Sequence, residues 1–201
     1  MADADPVARE VDCRIVYAGP EGAGKTSNLE YLHQALAPED RGKLISPGRD
    51  DSGRSFFFDF LAVDLGSVGS WQVRLHLYTA PGGRDRTEDR VRILRGADAL
   101  VLVVDSGGDR LDANRAALDR LAEDLEEAGR EREGLVTAFQ YNKRDLGDAL
   151  AVEELEEALN PGGIPYFEAV ARRGDGVVET VEEVGYRVVR ELGLGAPEGE
   201  P

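Results

Sequence analysis

The stretch Gly19-Pro20-Glu21-Gly22-Ala23-Gly24-Lys25-Thr26 decides how the rest of the chain is read. It fits the pattern G-x-x-x-x-G-K-[ST] in full. It follows a run that reads as a short buried strand, residues 14–18, and opens a helical pattern that begins at Lys25 with Leu29, Leu32 and Leu36 on one face. In that context the N–H groups of a glycine-rich loop, together with a helix N-terminus, surround phosphate oxygens. Glu21, Gly22, Ala23, Gly24, Lys25, Thr26 and Ser27 are therefore candidate phosphate-binding residues. Lys25 would neutralise the β- and γ-phosphates, and the Thr26 hydroxyl would ligate Mg²⁺. Glu21 is the exception, because a carboxylate beside phosphate is repelled by about 4 kcal/mol per charge pair at ~4 Å and an effective dielectric near 20. It is expected to point away from phosphate or to weaken triphosphate binding.

Around this loop the chain reads as one α/β domain, residues 1–192, with an acidic tail, 193–201, expected to be disordered. Strands are expected over residues 14–18, 55–65, 71–79, 99–104, 135–141 and 165–169, with 66–70 joining the second and third as a hairpin. Leu111, Leu118, Leu121, Leu125 and Ala128 mark the apolar stripe of one long helix, and Val177, Val181, Val184, Val188 and Leu192 that of the last. The alternation predicts a mostly parallel six- or seven-stranded sheet with one antiparallel hairpin and helices on both faces.

Composition narrows the function. A net charge of −16 argues against a nucleic-acid partner, whose phosphates would be repelled. The longest apolar run, residues 99–104, is too short to span a bilayer, and the acidic start does not read as a signal peptide. The single cysteine, Cys13, reads as a small buried hydrophobe and fits a reducing, cytoplasmic setting. His33 and His76 have no partners at metal-ligand spacing. Lysine is rare: only Lys25, Lys43 and Lys143 occur among 24 basic residues. Lys25 lies in the phosphate loop, and Lys143 lies in a second motif.

That motif is Asn142-Lys143-Arg144-Asp145, at the carboxyl end of a predicted buried strand, where ligands sit in open α/β sheets. The pattern N-K-x-D resembles the guanine-recognition motif of GTPases. Its Asp carboxylate accepts from both N1–H and the 2-amino group of guanine, donors that adenine lacks. Ala171, in the segment Phe167-Glu168-Ala169-Val170-Ala171, stands where a backbone N–H could donate to the guanine oxygen.

From about Arg9 to Leu192 the chain resembles the MglA subfamily of bacterial Ras-like GTPases. The segments REVDCRIVYAGP, GKTSNLEYL, APEDRGKLIS, FFFDFL, RLHLYTAPG and QYNKRDL carry the resemblance, together with the AVA segment. FFFDFL and Thr79-Ala80-Pro81-Gly82 are specific to it, since most small GTPases have Asp-x-x-Gly at the latter place. The resemblance implies GTP and GDP as ligands with Mg²⁺, and roles in cell polarity and gliding motility. It implies a Roadblock-type activating partner, MglB, and polarity effectors, met by a monomer that is cytoplasmic and reaches the pole or membrane through partners. The family's catalytic arginine falls on Arg54, its Mg²⁺-reaching switch hydroxyl on Ser55, and its second-switch glycine on Gly82.

Two matches fail. The water-positioning Gln of the family falls on Gly83, and a phosphate-loop glycine falls on Glu21. Together they imply a switch whose hydrolysis is weak or partner-dependent. Two alternatives stay open: an active hydrolase using Arg54 and an MglB-like partner, with Arg84 or Glu88 holding the water, and a nucleotide-independent scaffold.

Overall fold

A computed structural model describes residues 3–49, 55–83 and 86–194. In chain order its strands and helices are β1 (Asp3–Asp5), β2 (Glu10–Ala18), α1 (Lys25–Ala35), β3 (Gly48–Arg49), β4 (Ser55–Phe56), β5 (Phe60–Val68), β6 (Trp71–Thr79), α2 (Thr87–Arg95), β7 (Ala99–Asp105), α3 (Leu111–Glu127), β8 (Val136–Asn142), α4 (Val152–Leu159), β9 (Tyr166–Glu168) and α5 (Val177–Glu191). Seven strands form one sheet in the order β5-β6-β2-β7-β8-β9, with β1 beside β2. β2 runs parallel to β6 and β7, β7 to β8, and β8 to β9, whereas β5 and β6 form the antiparallel hairpin.

The mostly parallel α/β sheet is the expected one, with local differences. The run 55–65 is two strands, because the chain breaks at residues 57–59 before β5 begins at Phe60. The hairpin is longer than expected and turns only at Gly69 and Ser70. Residues 66–68 remain in β5 through a bulge at Asp64, whose Oδ1 accepts from Gly66 N at 2.8 Å. β1 adds a second, three-residue antiparallel pair on β2. Its acidic sequence carries no apolar alternation to reveal it.

Both sheet faces are covered, which is why the central strands read as continuous apolar runs. Cys13, Ile15, Tyr17, Leu75, Leu77, Val101 and Val103 pack against Leu29 and Leu32 of α1 and the valine stripe of α5. Val16, Ala18, Leu100, Leu102, Val104 and Phe139 face Val91 and Leu94 of α2, Leu121 and Leu125 of α3, and Leu155 of α4. Complete burial of a Leu or Val side chain of this kind stabilises a fold by about 1.5–3 kcal/mol. The consequence for function is geometric. The loops that follow β2, β7 and β8 leave the same edge of a stiff sheet side by side.

Candidate functional site

Side-chain donors tie the carbonyls of the phosphate loop. Lys25 Nζ donates to Gly19 O at 2.9 Å and Pro20 O at 2.7 Å. Arg110, after β7, donates from Nη2 to Glu21 O at 3.1 Å. Asn142, the last residue of β8, donates from Nδ2 to Ala23 O at 2.7 Å. In a trans peptide the N–H lies opposite the C=O, so fixing these carbonyls also fixes the direction of the N–H groups that follow them. Two glycines make this curvature possible. Gly24 sits at φ 104°, and a Cβ there would stand 2.1 Å from Asn142 Nδ2. Gly82, after β6, abuts the loop so closely that a Cβ would lie 2.6 Å from Glu21 N.

Lys25 is buried, and burial pushes its ammonium down to about 8, against the opposing pull of Glu21 and Asp59. Glu21 itself is exposed at the rim. Burial thus disfavours the charged form of Lys25, and an anion brought beside it would favour that form.

Asn142 joins this loop to the base side. While its Nδ2 holds Ala23 O, its Oδ1 accepts from Ala171 N at 2.8 Å. The Ala171 N–H assigned to a base oxygen is thus engaged by Asn142, and a base would have to share it. A cavity of about 260 Å³ opens between the two loops, lined by Gly24, Ser27, Asn142, Lys143, Asp145 and Ala171 among others. Asp145 is exposed at its mouth. Lys143, at φ 66°, donates from Nζ to Asp105 Oδ2 at 2.7 Å. The same oxygen accepts from Arg110 Nε at 3.2 Å, so one buried carboxylate links the base motif to the arginine over the phosphate loop.

The cation side shows a residue that the sequence reading missed. Asp59 is buried just before β5, and its Oδ2 accepts from Thr26 Oγ1 at 2.7 Å and Thr79 Oγ1 at 2.8 Å. Its Oδ1 is buried without a hydrogen-bond partner among the described residues. A carboxylate with a spare oxygen beside the Thr26 hydroxyl fits a hard divalent cation, which takes oxygen ligands. Asp59, just before β5, thereby places an acidic group beside Thr79, where the sequence itself has none. The signal was present: a lone Asp inside the apolar run FFFDFL.

On the second-switch side Gly83 has no side chain, and no described atom lies within 4 Å of where its Cβ would be. Its carbonyl accepts from Arg90 Nη1 at 2.5 Å. Arg90 is buried in α2 and ion-paired to the buried Asp124 of α3, 2.5 Å away. Arg54, Arg84 and residues 195–201 lie outside the described residues, and Ser55 is placed only through its backbone, in β4. Glu88 lies exposed in the first turn of α2. Cys13 is fully buried and burial pushes its thiol up to about 12, as a small core hydrophobe requires. His33 contacts Arg41 and His76 contacts Asp12; among the described residues no cluster of three His, Cys, Asp or Glu is placed to hold a metal. No described helix is long and apolar enough to cross a membrane.

No protein-family profile matches the chain. Among individual proteins, it is 43% identical over 188 residues to the mutual gliding-motility protein MglA of Myxococcus xanthus (strain DK1622). The alignment covers 94% of this chain and 96% of that protein.

Proposed function

The chain belongs to the MglA family of Ras-like GTPases, and from that premise we propose that it is a guanine-nucleotide-binding switch with weak intrinsic hydrolysis. The observation that carries the reading is Asn142, whose amide grips the phosphate loop at Ala23 O and the base loop at Ala171 N across one cavity. A loop pair so joined, with Asp145 at the mouth, suits a ligand with a phosphate tail and a base offering adjacent N–H donors. Lys25 would meet the β- and γ-phosphates, Gly82 N–H the γ-phosphate, and Asp145 the guanine edge.

Thr26, Asp59 and Ser55 are the residues that would hold Mg²⁺. The ion would supply positive charge against the phosphates when bound.

Weak hydrolysis rests on Gly83, which offers no group to orient water, and on Glu21, which adds negative charge at the loop rim. That no described atom lies within 4 Å of where a Gly83 Cβ would be favours a second reading, in which a partner's side chain enters there and completes the site, with Arg54 as the electrophile. The family's Roadblock-type MglB, acting with polarity effectors, is the partner we propose for a cytoplasmic protein that regulates polarity or gliding.

Titration of nucleotide-stripped protein with GTP, GDP and ATP, each with Mg²⁺, tests the switch reading. Binding of both guanine nucleotides with rejection of ATP is expected. Equal binding of ATP would overturn the assignment of Asp145, and absence of any binding would leave a scaffold.

A further inference from the structure

Beneath the phosphate loop lies a buried ladder of polar side chains that the site as described does not use. Asn28, in the first turn of α1, donates from Nδ2 to Gly24 O at 3.0 Å and to Gln140 Oε1 at 2.8 Å. Gln140, in β8, returns a bond from Nε2 to Asn28 Oδ1 at 3.0 Å and donates to Thr180 Oγ1 of α5 at 3.1 Å. Thr180 Oγ1 in turn donates to Gly176 O. All three side chains have zero exposure, beside a layer built mainly of Val, Leu and Ala with Ile15, Cys13 and Tyr17. Buried amides in such a layer are tolerated only when their donors and acceptors are paired, and apolar residues of similar volume would pack there without that demand.

The ladder ends on a functional peptide. Gly24 O accepts from Asn28 N at 3.1 Å as an ordinary helical bond and from Asn28 Nδ2 as an extra one. No cis peptide occurs among the described residues, so fixing the Gly24 carbonyl fixes the Lys25 N–H on the opposite side, facing the hollow. Gln140 stands two residues before Asn142 on the same face of β8, and the strand period of two aims both amides at the loop. Asn142 pins the Ala23 carbonyl while Gln140 holds the amide that pins the next one.

We infer that Asn28 and Gln140 are positioning residues for nucleotide, orienting the Gly24–Lys25 peptide toward phosphate. The inference rests on the guanine-nucleotide reading above.

The test is the dissociation rate of a fluorescent GDP analogue, read beside the melting temperature, for Asn28→Leu, Gln140→Leu, their double variant and Thr180→Val. Each single apolar replacement strands one buried amide, so melting temperature falls and release speeds up. The double variant removes both amides and recovers most of the lost melting temperature, since deleting both partners leaves nothing unpaired. Its GDP release nevertheless stays about tenfold faster than wild type, because the Gly24 carbonyl has lost its second donor. Thr180→Val leaves the Asn28 bond to Gly24 O in place and stays within threefold of wild type. Release that tracks melting temperature through the whole series overturns the inference, as does a Thr180→Val variant releasing as fast as Asn28→Leu. Wild-type protein that fails to bind the analogue overturns the nucleotide reading itself and this inference with it.

Discussion

The two halves of the nucleotide cleft are built to different standards. On the base side and under the phosphate loop, polar groups are paired: Asn142 bridges two loops, Lys25 and Arg110 hold loop carbonyls, and Asp105 collects Lys143 and Arg110. On the side where water would attack, Gly83 carries no side chain and Glu21 stands exposed with the wrong charge. Binding a ligand requires a prearranged set of donors and is served by the first half alone. Accelerating hydrolysis requires groups that act on developing charge and on water, and among the described residues Gly83 and Glu21 offer neither. On the proposed reading, retention of nucleotide and turnover of nucleotide rest on different groups of the cleft.

The largest effect should come from Lys25→Met, which removes the buried cation from the well-built half. Affinity for GTP and GDP is expected to fall about a hundredfold, near 2.7 kcal/mol, as lost charge-assisted bonds to phosphate imply. Calorimetry that found affinity unchanged would mean that phosphate binds elsewhere.

Asp59→Asn tests whether the spare carboxylate oxygen belongs to a cation site. The increase in GTP affinity on adding Mg²⁺ should shrink about tenfold, roughly 1.4 kcal/mol, while binding in chelator stays as in wild type. Equal Mg²⁺ dependence in both proteins would assign Asp59 to holding Thr26 and Thr79 only.

Glu21→Gly combined with Gly83→Gln addresses the weaker half. No described atom lies within 4 Å of where a Cβ at residue 83 would be, so the described residues do not oppose the longer side chain. Phosphate release is expected to rise roughly tenfold, about 1.4 kcal/mol of barrier, with GDP affinity within a factor of three. No acceleration would show that the deficit lies outside these two positions.

The smallest effect is a proton. Lys25, pushed down to about 8 by burial, gains an anionic partner when phosphate binds, so its pKa rises and binding takes up protons between the two values. Calorimetry in buffers of different ionisation enthalpy should find almost no uptake near pH 6.5, about half a proton near pH 8 and more near pH 9. The sign for stability is opposite to that of a paired lysine. Between about pH 8 and the ordinary lysine value of 10.5 the folded chain binds fewer protons than the unfolded one, so this group destabilises the fold in full below about pH 8 and its cost fades as pH rises from 8 to 10.5. Uptake independent of pH would leave Lys25 out of the phosphate contact.

Much of this was legible in the sequence because the central elements obey simple periods. The phosphate loop, the hairpin strand Trp71–Thr79 and the valine stripe of α5 fall where spacing puts them. α2 was not placed, because its buried face includes Arg90, a charge that breaks the apolar pattern until Asp124 is seen beside it. Asp59 escaped for the related reason that a carboxylate reads as polar punctuation in an aromatic run. Its meaning comes only from tertiary neighbours, Thr26 at 33 residues' remove and Thr79 at 20. Gln140 and Asn28, separated by 112 residues, are two unremarkable amides until β8 lies under α1.

On the proposed function, this chain binds guanine nucleotide well and hydrolyses it poorly. The most direct test loads nucleotide-stripped protein with GTP and Mg²⁺, then measures bound nucleotide and released phosphate on the same sample. Stoichiometric GTP binding with phosphate release no faster than spontaneous exchange of the nucleotide is the predicted result. Release that outpaces exchange, in the absence of any partner, would contradict the account and show that another group does the work of the missing Gln at Gly83.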